Sequence, residues 1–147
     1  MLYTIHPTRW QLHQADLIKI RTEVFMQEQQ VSAADEWDGL DEQAQHFLIL
    51  SPSGAALGCA RLLHEKKHGQ SLCHIGRVAI LKPFRNKGLG HDLMRFIIGF
   101  CKTDAPVSSI YLHAQIERRH FYETLGFTAE GNEFMDAGIS HISMHLA

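Results

Sequence analysis

The segment that most constrains this chain is Ile75-Gly76-Arg77-Val78-Ala79-Ile80 followed by Arg85-Asn86-Lys87-Gly88-Leu89-Gly90. It reads as a β-run broken at Pro83, then a tight glycine turn that opens a helix over 89–102. The first turn of a helix leaves backbone N–H groups unpaired and carries partial positive charge. Gly88 and Gly90 let an anion approach those amides, and Arg85 and Lys87 add full charge. The spacing matches neither the G-K-[ST] phosphate loop nor the G-x-G-x-x-G dinucleotide fingerprint, so the residues point to anion binding without naming the nucleotide.

The rest of the chain fits around that unit. Leu2 to Thr8 is expected to be a strand, and 14–29 a helix with Leu17, Ile20, Val24 and Phe25 on its apolar face. Strands are expected over 46–50 and 55–64, with a polar connection over 65–71, and then over 72–81. After the 89–102 helix come a strand over 109–114, a short helix over 117–125 ended by Gly126, and closing strands over 128–134 and 141–145. Neither repeat nor linker interrupts this order, so residues 1–147 read as a single domain of α/β (α+β) class, a mixed sheet with packed helices.

Composition narrows the setting. A net charge of −2 over 147 residues lacks the basic excess of a nucleic-acid binder, and no apolar run reaches the ~18 residues that span a bilayer. The N-terminus lacks a secretory pattern. Cys59, Cys73 and Cys101 are odd in number and show no C-x-x-C spacing, so they read as buried apolar side chains in a reducing cytoplasm, with no structural zinc. No nucleic-acid or membrane partner is expected. His64-Glu65-Lys66-Lys67-His68 matches H-E-x-x-H formally, but a β-like run precedes it and Gly69 ends it, so no zinc-hydrolase helix is expected and no metal.

The near-neutral total conceals a segregation. Glu28 to Glu42 carries six acids and no Lys or Arg, while Leu72 to His91 carries four bases and no acid. The acidic stretch is either a solvated surface or a site for a cationic group.

Three motifs together resemble the GCN5-related N-acetyltransferase (GNAT) family: Arg85-Asn86-Lys87-Gly88-Leu89-Gly90, the preceding Gly76-Arg77-Val78-Ala79-Ile80, and Phe121-Tyr122-Glu123-Thr124-Leu125-Gly126-Phe127. Residues Arg21, Val24, Phe25, Glu28, Gln29, Glu36, Asp38, Asp41 and His46, with Gly138-Ile139-Ser140-His141, resemble the ElaA-like subgroup. The resemblance implies a GNAT-like fold with a mostly antiparallel sheet, a splayed bulged strand, and helices on both faces. It implies an acetyl-CoA-dependent N-acetyltransferase in which an amine attacks directly in a ternary complex. Asn86, Lys87, Gly88, Leu89, Gly90 and His91, with Arg85, would hold the pyrophosphate. The main chain of Val78, Ala79 and Ile80 would pair with pantetheine, Gln115 would hydrogen-bond it, and Tyr122 would be the general acid. Gln115 and Arg118 stand where many members carry Asn and Ala; Gln115 keeps an amide that can hydrogen-bond pantetheine, and Arg118 makes a bulkier wall. Glu36, Asp38, Asp41 and His141 are candidate acceptor residues, with His46 a further histidine of suitable chemistry. The acceptor would be a small-molecule or peptide amine, and small enzymes of the family often form a homodimer. A catalytically silent acyl-CoA-binding or regulatory module on the same fold is the alternative.

Overall fold

The computed structural model describes residues 2–104, 107 and 109–146. Seven strands form one sheet: β1 Thr4–Thr8, β2 Gln45–Leu50, β3 Ala56–Lys67, β4 Gln70–Ile80, β5 Ser109–Gln115, β6 Phe127–Asp136 and β7 Ile139–Leu146. The order across the sheet is β1-β2-β3-β4-β5-β7-β6, and β4–β5 is parallel while every other pair is antiparallel. Helix α1 is Trp10–Arg21, α2 Ala33–Glu36, α3 Leu89–Asp104 and α4 Arg119–Glu123.

The centre of the sheet is buried on both faces: β2 and the first half of β3 are apolar on successive residues, as strands covered by helices on each side are. On one face, Phe47, Ile49 and Leu62 meet Leu89, Leu93, Met94 and Ile97 of α3. On the other, Leu48, Cys59 and Ala79 meet Trp10, Leu17, Ile20, Val24 and Phe25. The expected stripe Leu17, Ile20, Val24, Phe25 is buried, but its helix begins at Trp10 rather than residue 14, and Thr22–Glu28 widens into a π-helical turn. That turn carries Glu28 and Gln29 toward β4 and β5, as the contacts below show.

The expected polar connection over 65–71 is instead a continuation of both strands. Lys67 pairs with Gln70 around the two-residue turn His68-Gly69, whose φ values of 52° and 77° suit a primed hairpin turn. Its polarity reflects a solvated strand face. Gly126, with φ of 98°, ends the α4 region as expected.

Strand β4 departs from regular pairing where the motif begins. Cys59 pairs with Ala79 and Arg61 with Gly76, so β4 carries one residue more than β3 across this interval. Arg77 takes φ of 53°, which marks a β-bulge at the expected splayed strand. Gly58 packs under it: a Cβ there would lie 2.9 Å from the Ala79 carbonyl oxygen and 2.7 Å from Ile80 Cδ1. Gly58→Ala is therefore expected to lower the thermal midpoint by about 2–10 °C, as overpacking of about 1–3 kcal/mol does in a domain of this size. An unchanged midpoint in thermal denaturation would contradict this packing.

Candidate functional site

Pairing between β4 and β5 runs from Leu72↔Ser109 to Ile75↔Leu112 and then stops. Past the bulge, Val78, Ala79 and Ile80 diverge from β5 and line a cavity of about 830 Å³. Arg85, Asn86, Gly88, Leu89, Gly90 and His91 of the turn and helix start line it, as do Gln115, Arg118, Phe121 and Tyr122, and so do His74, His113, Ile139 and His141 of the strands.

The glycine turn is built as the sequence suggests. Pro83 lies in a 3₁₀ turn over Lys82–Phe84, and Asn86 and Gly88 take φ of 61° and 89°. Asp92 N–H donates to the Gly88 carbonyl at 3.1 Å as the helix begins, which leaves the amides of Leu89, Gly90 and His91 ahead of the first intrahelical bond. A Cβ on Gly90 would sit 3.2 Å from Phe121 Cζ. The His91 ring meets Phe121 edge-on at 4.8 Å, and its Nε2 lies 3.4 Å from Thr124 Oγ1, so this helix end is fixed against α4.

Of the two basic side chains of the turn, Arg85 lines the cavity but is ion-paired, and Lys87 is off its wall. Arg85 is bidentate to Glu28 at 2.6 and 2.7 Å, and its Nε donates to the Ile80 carbonyl at 2.8 Å. It ties the π-helical turn to the end of β4. Lys87 is exposed and off the cavity wall. Gln115 faces Gln29, its amide donating to Gln29 Oε1 at 2.8 Å, so the two glutamines bridge the cavity's walls.

Tyr122 is 9% exposed, with its ring packed edge-on against Phe121 and Phe127. Burial raises its phenol to about 12, opposed by the positive charge of Arg118. At neutral pH it therefore holds its proton.

The acidic loop is a correction. Glu36 and Asp41, at 2% and 7% exposure, are buried ion-pair partners rather than acceptor contacts. Arg21 Nε meets Glu36 at 2.7 Å and its Nη1 meets Asp41 at 2.6 Å. Arg61 meets Asp38 at 2.8 Å and Asp41 at 3.2 Å. Arg77, on the bulge, lies 3.0 Å from Glu36 and 3.3 Å from Asp38, and donates to the Glu36 carbonyl at 3.0 Å. Asp38 and Asp41 are off the cavity wall, and Glu36, which reaches it, is already paired. His46 is also buried away from the cavity: its Nε2 bonds the Asp41 carbonyl at 2.9 Å, and burial holds it below the ordinary histidine range.

Of the acceptor candidates, His141 alone keeps a reachable position on the wall. His74 and His113, which no sequence motif marks, join it there. Their signal was present: on a strand, alternate residues share a face, which aligns Tyr111, His113 and Gln115. His74 stacks on Tyr111 at 4.4 Å and lies 4.9 Å from His113, while Glu65 bonds both His74 and the Tyr111 hydroxyl. The H-E-x-x-H match lies on β3 and its turn rather than on a helix, with Glu65 engaged as just described. Among the described residues no three His, Cys, Asp or Glu side chains gather around a common metal position, and no helix is long and apolar enough to cross a membrane.

A family model described as an acetyltransferase (GNAT) domain matches residues 13–147. The uncharacterised protein YyaT of Bacillus subtilis (strain 168) is 38% identical over 144 residues, covering 93% of this chain and 89% of its own. YjcF of the same organism, an uncharacterised N-acetyltransferase by name, is 30% identical over 130 residues, covering 88% and 89%. The crystal structure of an acyl-CoA N-acyltransferase from Pseudomonas aeruginosa superposes with a TM-score of 0.87 at 29% identity, over 99% of this chain and 100% of that one. Escherichia coli ElaA superposes with a TM-score of 0.87 at 24% identity, over 99% and 100%, which shows a shared fold.

The ion pairs around β4 carry a pH signature. Burial alone would raise the Asp38 carboxyl, but the Arg61 guanidinium and the Leu40 N–H bring it down from 3.8 to about 2. A carboxyl depressed on folding adds stability that is present above its unfolded value and lost as pH falls through its folded one. Urea midpoints of the wild type should therefore drop between about pH 4 and pH 2, and Asp38→Asn should lower the neutral midpoint and flatten that drop. Parallel wild-type and variant curves would contradict it.

Proposed function

This chain belongs to the GNAT acetyltransferases and is an acyl-CoA-dependent acyltransferase, and on that premise we propose that it moves an acetyl group from acetyl-CoA to a primary amine by direct attack in a ternary complex. The observation that carries the reading is the pairing lost after Ile75: a strand edge at Val78, Ala79 and Ile80 faces one cavity with the α3 N-terminus and the Tyr122 wall.

The residues fit the donor. Strand-edge groups pair with an extended amide-bearing arm as with an added strand, which suits the pantetheine of CoA. The amides of Asn86 through His91 suit its pyrophosphate, with the helix dipole in place of the Arg85 charge that Glu28 occupies. When bound, the thioester supplies an activated acyl carbon and a thiolate leaving group. Tyr122 then holds the proton that the sulfur takes. Its raised phenol keeps that proton loaded through neutral and mildly basic pH, and Arg118 stabilises the phenolate left behind.

Direct attack is supported by where the cysteines lie. Cys59, Cys73 and Cys101 are buried and off the cavity wall, and burial raises the Cys59 thiol to about 12, far from a nucleophilic thiolate. The same cysteine usage fits a reducing, cytoplasmic setting. The acceptor is a small-molecule or peptide amine, met by the cavity-lining histidines His74, His113 and His141.

Incubation with acetyl-CoA and a panel of polyamines, amino sugars, arylalkylamines and peptides, read by free thiol, tests the reading. Acyl transfer releases CoA with at least one class. Stabilisation by acetyl-CoA with no thiol release from any class would mark a silent binding module instead. Tyr122→Phe should cut kcat by about 10²- to 10⁴-fold while the thermal shift given by acetyl-CoA persists. Unchanged turnover would remove Tyr122 as the acid.

A further inference from the structure

We propose that His141 is the general base that takes the proton from the acceptor ammonium. The assignment rests on the transferase reading above and names the acceptor-side group that it leaves open.

Its tautomer follows from its contacts. His141 Nδ1 lies 2.7 Å from the carbonyl oxygen of Ile139, two residues back on the same strand. A carbonyl can only accept, so Nδ1 carries the hydrogen, and in the neutral ring Nε2 carries the lone pair. The ring is 8% exposed, stacks on Phe134 at 6.0 Å with 24° between planes, and belongs to the cavity lining. A base oriented by a second group, with its free nitrogen turned away from that group, is the arrangement that proton abstraction needs. The Ile139 carbonyl does what an orienting carboxylate does elsewhere: its hydrogen bond to Nδ1 strengthens when the ring becomes cationic.

The surroundings suit a cationic acceptor. His141 pairs in register with Gln115, the last residue of β5, at the open end of the β4–β5 divergence and in the same cavity as Tyr122. The ionisable groups around it come from several elements. His74 is on β4, His113 on β5 and Asp136 on β6, and Glu36 and Arg77 line the same cavity. Burial holds His74 and His113 below the ordinary histidine range, so both rings are neutral at pH 7. Arg77 is matched by Glu36 and Asp38. Asp136 adds an anion beside the turn Ala137-Gly138, whose φ values of 52° and 78° curl the β6–β7 hairpin onto the cavity wall.

The proton balance closes. An amine with a pKa of about 10 is an ammonium at neutral pH and has no lone pair with which to attack. His141 Nε2 accepts one proton from it. The nitrogen lone pair then forms the C–N bond, and the C–S bond breaks with its electron pair left on sulfur. Tyr122 protonates that sulfur, and the second nitrogen proton, shed as the amide forms, returns the phenolate to phenol through water. The His141 imidazolium gives its proton to solvent. The sum is ammonium plus thioester to amide, thiol and one proton.

His141→Asn separates a base from a packing residue, because an asparagine amide can still donate to the Ile139 carbonyl while it has no basic nitrogen. With acetyl-CoA as donor, benzylamine and spermidine serve as cationic acceptors and hydroxylamine as one neutral at pH 7. The variant should lose about 10²- to 10⁴-fold in kcat/KM with the cationic pair, far less with hydroxylamine, and keep its thermal shift with acetyl-CoA. Activity within about threefold of wild type on the cationic pair, or equal losses on all three, would overturn the assignment. Wild-type protein stabilised by acetyl-CoA but inert to these three acceptors and to every class of the wider amine panel would instead overturn the transferase reading, and this assignment with it. A nitrogen-15 imidazole spectrum gives a reading independent of turnover: neutral His141 should be the Nδ1–H tautomer, and Nε2–H would contradict the proposal.

Discussion

The cluster of Arg21, Arg61 and Arg77 with Glu36, Asp38 and Asp41 is the constraint on which the rest depends. It joins the end of α1, the acidic loop, β3 and the bulge of β4, with Arg21 1% exposed. Guanidiniums and carboxylates at this depth hold only as a set, because removing one partner leaves a buried charge that costs about 3–5 kcal/mol. The Arg21 guanidinium also sits over Trp37 at 4.8 Å, so the loop is fixed by an aromatic contact as well as by charge. Arg77 matters most for the site: it takes a left-handed backbone conformation that disfavours side-chain-bearing residues, and its guanidinium is the anchor that holds it there.

From that anchored bulge the site follows. The extra residue in β4 turns Val78, Ala79 and Ile80 out of line with β5, and the parallel pairing ends at Ile75 and Leu112. The opening is framed by two further contacts, Arg85 with Glu28 and Gln115 with Gln29, both made by the end of the π-helical turn. A strand edge, a helix N-terminus, the Tyr122 phenol and the His141 imidazole then share one cavity, contributed by β4, α3, α4 and β7.

Much of this was legible in the sequence because it is local. The strand–turn–helix unit, the apolar stripe of α1 and Gly126 past α4 each follow from neighbours a few residues apart. What was not legible depends on partners far along the chain. Glu28 meets Arg85 across 57 residues and Arg21 meets Asp41 across 20, so a charge run looks like two solvated or ligand-facing patches although Glu36, Asp38 and Asp41 are paired with arginines and Glu28 with Arg85. Lys87 followed the expectation of a basic turn but faces solvent. His74 and His113 sit on strands whose alternation was clear, yet the face left open by the helices is decided by tertiary packing, so alternation could not say which set would line the cavity. The polar residues 65–71 looked like a loop for a related reason: a strand with one wet face tolerates them.

The central claim is that the acyl donor pairs with the strand edge beyond the β4 bulge and caps the α3 N-terminus. Hydrogen exchange read by mass spectrometry, with and without saturating acetyl-CoA, measures this at the backbone. Slowed exchange confined to Gly76–Ile80 and Asn86–His91 is the result expected. Unaltered exchange in those two segments under saturating donor, or protection centred elsewhere in the sheet, would contradict it.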